Sequence, residues 1–180
     1  MNTQVPTLET SRLVLRAHGP ADHAACSALW AEPAVVEQIG GKAFTPEEVW
    51  SRMLRYAGLW RWFGFGYWVI ESRSGDFLGE VGFADFRRAV EPPLGPAPEL
   101  GFALKTAAQG QGLAQEAADA ALSWLDTTGA HPRTVCLINV AHHRSLRVAQ
   151  KLGYANALPA TYRGQGVLVL ERLGPPQRAR

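Results

Sequence analysis

The chain lacks the features that mark several classes of protein. It has two cysteines among 180 residues, Cys26 and Cys136, and they lie far apart in the sequence. This count disfavours a disulfide framework, and we expect two buried thiols in a reducing, cytoplasmic setting. The formal net charge of +2 gives no electrostatic reason to expect a nucleic-acid partner. No apolar run approaches the ~20 residues of a membrane span, and the first residues lack the pattern of a secretion signal.

The apolar content is sufficient for a folded domain. Hydrophobic residues make up 47% of the chain and charged residues 19%, which excludes a disordered polypeptide. The length suits one domain with a substantial core. We therefore predict a single domain over residues 1–180, with its core at about 8–173 and a flexible basic tail at 174–180.

Periodicity and capping residues predict the order of the elements. Thr45, Pro46 and Glu48 form a capping box that begins a helix, whereas Pro33 is expected to stop an earlier one. Four prolines within residues 87–98 predict an exposed loop, placed to overhang a binding site. Other helices are predicted at 20–30, from Leu113 onward and near 142–154, and strands at 12–17, 67–72, 77–84, 99–104, 133–140 and 166–172.

A glycine-bearing turn lies between the predicted strand at 99–104 and the helix that begins at Leu113. The first turn of a helix has unpaired N–H groups and roughly half a positive charge. Glycine lets a phosphate approach the backbone without meeting a Cβ. The turn, Gln109-Gly110-Gln111-Gly112, therefore predicts a site for a pyrophosphate-bearing ligand.

The spacing of residues in this turn distinguishes between several known phosphate-binding motifs. A P-loop needs Lys and then Ser or Thr after its last glycine, but Leu113 and Ala114 follow here. The third glycine of the dinucleotide fingerprint is replaced by Gln115. The pattern Gln109-x-x-Gly112-x-Ala114 instead resembles the acetyl-CoA pyrophosphate signature of the GNAT acetyltransferases. An ordinary helix start through glycine is the alternative interpretation.

Three further segments resemble the same family, in the same order. Residues 9–16, Glu-Thr-Ser-Arg-Leu-Val-Leu-Arg, and 78–83, Leu-Gly-Glu-Val-Gly-Phe, are similar to strands of the branch that contains the ribosomal-protein N-acetyltransferases. Residues 145–154 resemble the Ser-to-Leu-Gly-Tyr hallmark, although His142 stands at its Asn position. The resemblance implies an α/β fold: a mixed, splayed sheet of about seven strands flanked by four helices, with acetyl-CoA where two central strands diverge.

The resemblance also implies roles for individual residues. A backbone N–H of Phe102 or Ala103 would bind the thioester carbonyl. Glu99 is the first candidate base and Glu80 the second. Ser145 is the implied acid, because Ala149 stands where many members have Tyr; a structural hydrogen bond for Glu99 and a helix cap for Ser145 are the alternatives. The cofactor-binding set is Phe102, Ala103, Leu104, Gln109, Gly110, Gln111, Gly112, Leu113, Ala114, His142 and Ser145.

The acceptor side has no motif. The aromatic segment 60–68 supplies Trp62, Phe65 and Tyr67 as candidate walls of the acceptor pocket, where rings can hold an amine by cation–π contact; packing in the core is the alternative. We predict no metal, because the adjacent His142 and His143 cannot converge on one ion. His18 is expected at the surface.

The predicted function is acetyl-CoA-dependent N-acetylation of a primary amine, either of a small molecule or of a protein or peptide N-terminus. We expect a monomer or homodimer with no membrane or nucleic-acid partner. A non-catalytic acyl-CoA-binding or sensor module of the same fold is the alternative, since the Asn and Tyr positions of the family are changed.

Overall fold

The computed structural model describes residues 4–37 and 39–175, so most of the predicted tail at 174–180 lies outside the described residues. The α-helices there are α1 (His23–Ala31), α2 (Pro33–Val36), α3 (Pro46–Phe63), α4 (Leu113–Thr128) and α5 (His143–Lys151). The strands are β1 (Leu8–Glu9), β2 (Leu13–Arg16), β3 (Tyr67–Ser72), β4 (Phe77–Ala84), β5 (Val90–Glu91), β6 (Glu99–Leu104), β7 (Arg133–Asn139), β8 (Ala155–Tyr162) and β9 (Gln165–Leu173).

All these strands form one mixed sheet in the order β1-β2-β3-β4-β6-β7-β9-β8-β5. Every neighbouring pair is antiparallel except β6 and β7 in the middle, which are parallel. Within the described chain, β6 and β7 share a single registered pair, Glu99 with Val135. Beyond that pair the two strands diverge, which confirms the predicted splayed sheet flanked by helices.

The long helix α3 begins as its sequence predicts. The backbone N–H of Glu48 donates to Thr45 Oγ1 at 3.2 Å, and the N–H of Thr45 donates to Glu48 Oε2 at 2.7 Å. The helix ends at Gly64, whose φ of 72° is left-handed. Between these ends lies a buried stripe, in which Val49 and Met53 pack mainly against α1 and α2, whereas Tyr56 and Trp60 pack against β3.

The predicted strands at 67–72, 77–84 and 99–104 are confirmed at their boundaries. The structure adds three features that the sequence did not predict. Pro33 stops α1 but also begins α2, since proline fits a first helical turn. The loop at 87–98 contains β5, because Val90 and Glu91 pair with β8. Strand β8 was not predicted: most of its residues are exposed, so it has no alternating apolar pattern, and the sheet has nine strands instead of about seven.

The first turn of α4 is anchored to the start of the chain. Glu116 accepts hydrogen bonds from Thr10 Oγ1 at 2.6 Å and from Arg12 Nε at 2.6 Å. Arg12 also donates to the carbonyl of Gln111 at 2.9 Å. These contacts fix the glycine turn against the β1–β2 connection. No helix in the described part of the chain combines the length and the apolar character needed to cross a membrane.

Candidate active site

A cavity of about 580 Å³ opens where β6 and β7 diverge. Its size is within the range of small-molecule sites. Residues of β6 and β7 form its floor, the start of α5 forms one side, and α3 with the segment after β4 forms the other. The lining residues used below are Trp30, Phe44, Arg52, Arg55, Tyr67, Phe86, Arg88, Glu99, Phe102, Ala103, His142, Ser145, Ala149, Tyr162 and Arg163.

Strand geometry decides which backbone amide faces this gap. The N–H of Lys105 donates to Leu78 on β4, and the N–H of Val135 on β7 donates to Pro98. Since N–H groups alternate between the two edges of a strand, the N–H of Ala103 points to β4 and that of Phe102 points to β7. Phe102 lies beyond the registered pair of β6 and β7, so its amide faces the cavity.

The glycine turn lies outside the cavity lining and is largely exposed. Gln109 Nε2 donates to the carbonyl of Leu104 at 3.0 Å, and Gln111 Nε2 donates to that of Ala107 at 2.9 Å. These side chains therefore brace the turn. Gly112 caps α4 with a φ of 78° and without a side-chain hydrogen bond, so the first N–H groups of the helix remain available.

Glu99 lies on the cavity wall as one half of a buried ion pair. Arg88 Nε donates to its two carboxylate oxygens at 2.8 and 3.0 Å, and Arg88 also donates to the Tyr162 hydroxyl at 3.0 Å. Burial alone would lower the pKa of Arg88, but the charge and hydrogen bond of Glu99 raise it above its usual value. The loop before β6 thus places a permanent cation beside the candidate base.

Glu80 has a different environment and does not line the cavity. It is buried and accepts hydrogen bonds from Trp30 Nε1 at 2.9 Å and the Tyr56 hydroxyl at 3.1 Å, with His18 Nε2 at 3.1 Å. Burial would raise the pKa of Glu80, but His18, Arg52 and the Trp30 hydrogen bond outweigh it and lower the pKa. These contacts give Glu80 a structural role outside the cavity, and its assignment as the second candidate base stays a prediction.

The expectation that His18 lies at the surface is wrong, since its side chain is 7% exposed. Its partner is 62 positions away, so no local pattern around His18 indicates the contact. Ligand atoms of His18, Cys26 and Glu80 lie within 4.8 Å of one another. Burial and the nearby charge of Glu80 raise the pKa of the Cys26 thiol. A hydrogen bond between His18 and Glu80 holds two of these three side chains together.

Ser145 and His142 meet at the start of α5, on the cavity wall. Ser145 Oγ lies 3.3 Å from His142 Nε2. Burial and the nearby charge of Arg144 lower the pKa of His142, so its ring is neutral at about pH 7. Ala149 is one helical turn after Ser145 and lines the same wall.

Of the three predicted aromatic residues, Tyr67 lines the cavity. Trp62 is 82% exposed, and Phe65 packs against Phe63 and His131, so their prediction as cavity walls is corrected. Segment 60–68 runs from the end of α3 into β3. Its aromatic rings therefore point in different directions and do not form one wall. The other aromatic walls were missed because they come from separate segments: Trp30, Phe44, Phe86 and Tyr162.

Comparison with known proteins agrees with this geometry. Residues 12–155 match the family model described as acetyltransferase (GNAT) domain. A protein from Bordetella pertussis described as a GnaT-family acetyltransferase is 31% identical, with a TM-score of 0.82 over 93% of this chain and 99% of that one. An acetyltransferase from Agrobacterium tumefaciens is 28% identical, with a TM-score of 0.80 over 94% and 95% of the two chains.

The fold is also shared with a ribosomal-protein acetyltransferase. The ribosomal L7/L12 alpha-N-protein acetyltransferase RimL, solved in complex with coenzyme A, is 19% identical, with a TM-score of 0.76 over 93% of this chain and 98% of that one. At that identity the likeness concerns the fold. The family match covers most of the sequence, and the chain therefore belongs to the GNAT acetyltransferase domain family.

Proposed function

We propose that this protein is an acetyl-CoA-dependent N-acetyltransferase that acts on a primary amine. The observation that carries the proposal is the divergence of β6 and β7 at Glu99 and Val135, which leaves the Phe102 amide facing a cavity. The unblocked start of α4 follows β6 closely in the chain. The Phe102 amide can donate a hydrogen bond to a thioester carbonyl, and the free N–H groups at the start of α4 can bind a pyrophosphate.

The residues present fit the cofactor. The backbone amides of the turn at 109–114 would hold the pyrophosphate, because Gly110 and Gly112 have no side chain to obstruct it. The Phe102 N–H would donate to the thioester oxygen, whereas the Ala103 N–H is directed at β4. The carbonyl of Leu104 already accepts from Gln109. When bound, acetyl-CoA supplies an acetyl group on a sulfur that can leave.

The reaction forms one bond, breaks another and requires two proton transfers. The amine nitrogen forms a bond to the acetyl carbon as the carbon–sulfur bond breaks. The nitrogen loses a proton and the departing sulfur gains one. The side chains on the cavity wall that can move these protons are Glu99 and the Ser145–His142 pair.

Glu99 receives the amine proton in this proposal. It stands three residues before Phe102 on β6, which is about 10 Å along an extended strand. Water must bridge that distance, because a direct hydrogen bond spans about 3 Å. Arg88 holds the carboxylate in place from one side through hydrogen bonds to both of its oxygens.

Ser145 donates a proton to the sulfur, in the place of the absent Tyr at Ala149. A neutral His142 can donate to Ser145 Oγ and leave the Ser145 O–H directed to the cavity. The lowered pKa of His142 supports this arrangement near neutral pH. Ala149 also favours the alternative of a non-catalytic acyl-CoA-binding module, which turnover measurements separate from the enzyme.

Two measurements on the purified full chain test the proposal. Calorimetry should detect binding of coenzyme A and acetyl-CoA. A thiol-release assay with a panel of amines and peptides should detect acceptor-dependent turnover. Absence of cofactor binding would overturn the proposal, and binding without turnover for any acceptor would favour the non-catalytic module.

Gly112→Ala should weaken coenzyme A binding by about 5- to 30-fold, because a left-handed alanine costs about 1–2 kcal/mol and distorts the start of α4. The measurement is a calorimetric Kd. Gly129→Ala is the matched control, since Gly129 caps the other end of α4 with a φ of 62°. It should cost similar stability but leave the Kd unchanged. Equal Kd values for the two variants would contradict the assignment.

Ser145→Ala should lower kcat by about 10- to 100-fold, at the modest end of general acid catalysis, with little change in coenzyme A affinity. Acceptor-dependent thiol release measures the effect. Ser123→Ala on α4 serves as a control for loss of a hydroxyl elsewhere. An unchanged kcat would remove Ser145 from the mechanism and support the helix-cap alternative.

A further inference from the structure

The charged residues of the cavity wall are mainly cations. Among the described residues that line it are four arginines, Arg52, Arg55, Arg88 and Arg163, and one carboxylate, Glu99. Arg88 engages both oxygens of that carboxylate. The other three arginines therefore leave the cavity with an excess of positive charge.

The aromatic walls are already covered by guanidinium groups. Arg52 lies 4.0 Å from the centre of the Trp30 ring. Arg88 lies 4.8 Å from the ring of Phe86 and 5.1 Å from that of Tyr162. An amine cation cannot take the same ring faces, and the arginines would repel it. This arrangement disfavours cation–π contact of an amine with Trp30, Phe86 and Tyr162.

Arg55 is an exposed arginine on the cavity wall whose guanidinium lies 5.7 Å from the centre of the Phe86 ring. It follows Arg52 by three positions on α3, which places both on one side of the helix. The ion pairs of the described residues include no carboxylate partner for either arginine. The charge of Glu80 acts on Arg52, whereas the charged groups that act on Arg55 are Arg52 and Arg88, beside the hydroxyls of Tyr56 and Tyr162. Burial and these charges lower the pKa of Arg55 below its usual range.

We infer that the acceptor is a primary amine that also carries an acidic group, a carboxylate or a phosphate, and that Arg55 and Arg52 bind this group. The inference rests on the proposed function, because it assumes that the amino end points to the gap between β6 and β7. A guanidinium matches either anion with two parallel hydrogen bonds. Polyamines and other acceptors that carry only positive charge are disfavoured.

Product analogues test the inference without requiring turnover. The full chain, loaded with coenzyme A, is titrated calorimetrically with N-acetylglutamate, N-acetylphosphoserine amide, N-acetylglutamine amide and N-acetyllysine amide. At least one of the two acidic ligands should bind about 30-fold more tightly than the uncharged one, as expected for a partly buried charge pair. The lysine derivative should bind most weakly. Comparison of the two acidic ligands separates a carboxylate from a phosphate preference.

Arg55→Glu should reverse this order and weaken binding of the preferred acidic ligand by about 30-fold or more. Arg55→Gln is a milder second variant should the reversal impair folding. Arg61→Glu is the matched control, since Arg61 is on the same helix but does not line the cavity. It should leave all four affinities unchanged.

Three results would overturn the inference: no preference for an acidic ligand, no effect of either Arg55 variant, or a loss of coenzyme A affinity in place of acidic-ligand affinity. The last result would assign the arginines to the cofactor. These outcomes differ from a failure of the proposed function, in which the wild-type protein would not bind coenzyme A. A wild-type enzyme that acetylates polyamines faster than acidic amines would refute this inference alone.

Discussion

Glu80→Ala should lower the free energy of unfolding by about 3–5 kcal/mol, the cost of removing one partner from a buried charged network. The variant leaves Trp30, Tyr56 and His18 without their shared acceptor. Arg52 also loses a nearby negative charge. Urea denaturation measures the change. Because the network joins α1 and α3 to β4, the loss should affect the whole domain.

Glu171→Ala is the control for this stability effect. Glu171 is likewise a hydrogen-bonded carboxylate, which accepts from Arg133 Nε at 3.0 Å, but its side chain is 31% exposed. Exposed ion pairs contribute about 0–1 kcal/mol, so this variant should remain close to the wild type. Glu80→Gln tests charge separately from shape. A loss below about 1 kcal/mol for Glu80→Ala would contradict the network assignment.

The pH dependence of the same variants has a defined sign. The folded-state pKa of Glu80 lies below its ordinary value of 4.5. Its contribution to stability is therefore fully present above pH 4.5 and is lost as the pH falls through the lower, folded-state pKa. The stability difference between the wild type and Glu80→Gln should shrink on acidification below pH 4.5. A difference that grows there would contradict the assignment.

Glu99→Gln should lower kcat by about 100- to 10,000-fold, the range for loss of a general base, and leave coenzyme A affinity intact. Gln keeps the shape of Glu but cannot take a proton from the amine. Acceptor-dependent thiol release over a range of pH measures the effect. The rate of the variant should recover at high pH, where the acceptor amine is already deprotonated.

Glu91→Gln provides the matched control for this rate effect. Glu91 is an exposed carboxylate on the neighbouring β5 and is absent from the cavity lining. Its variant should keep wild-type turnover. If Glu99→Gln lost stability but not kcat, Glu99 would be only the ion-pair partner of Arg88, which is the structural alternative raised by the sequence.

The sequence predicts best the features that depend on neighbouring residues. The Thr45 capping box, strand β6 and the glycine turn arise within short segments, so local chemistry determines them. The sequence motif does not indicate whether the amide of Phe102 or that of Ala103 faces the cavity. That choice depends on the register of β6 with β4 and β7, which is a property of the assembled sheet.

The residues on the α3 side of the cavity were also difficult to predict from the sequence, for a related reason. Arg52, Arg55 and Trp30 come from two helices that meet only in the folded chain. The dense aromatic segment near residue 62 made Trp62 a candidate. Its position on the outer face of α3, however, leaves the ring exposed to solvent. His18 gave no signal either, because its partner is on a distant strand.

The single pairing between β6 and β7 has a consequence for how ligand occupancy and folding are coupled. Main-chain groups beyond that pair do not complete the ladder, so in the proposed complex the cofactor would act as an additional hydrogen-bonded link between the two parts of the sheet. The unliganded domain gives up internal cohesion there, and saturation restores it by mass action. Under the proposed function, the free energy of unfolding would therefore rise with the concentration of acetyl-CoA.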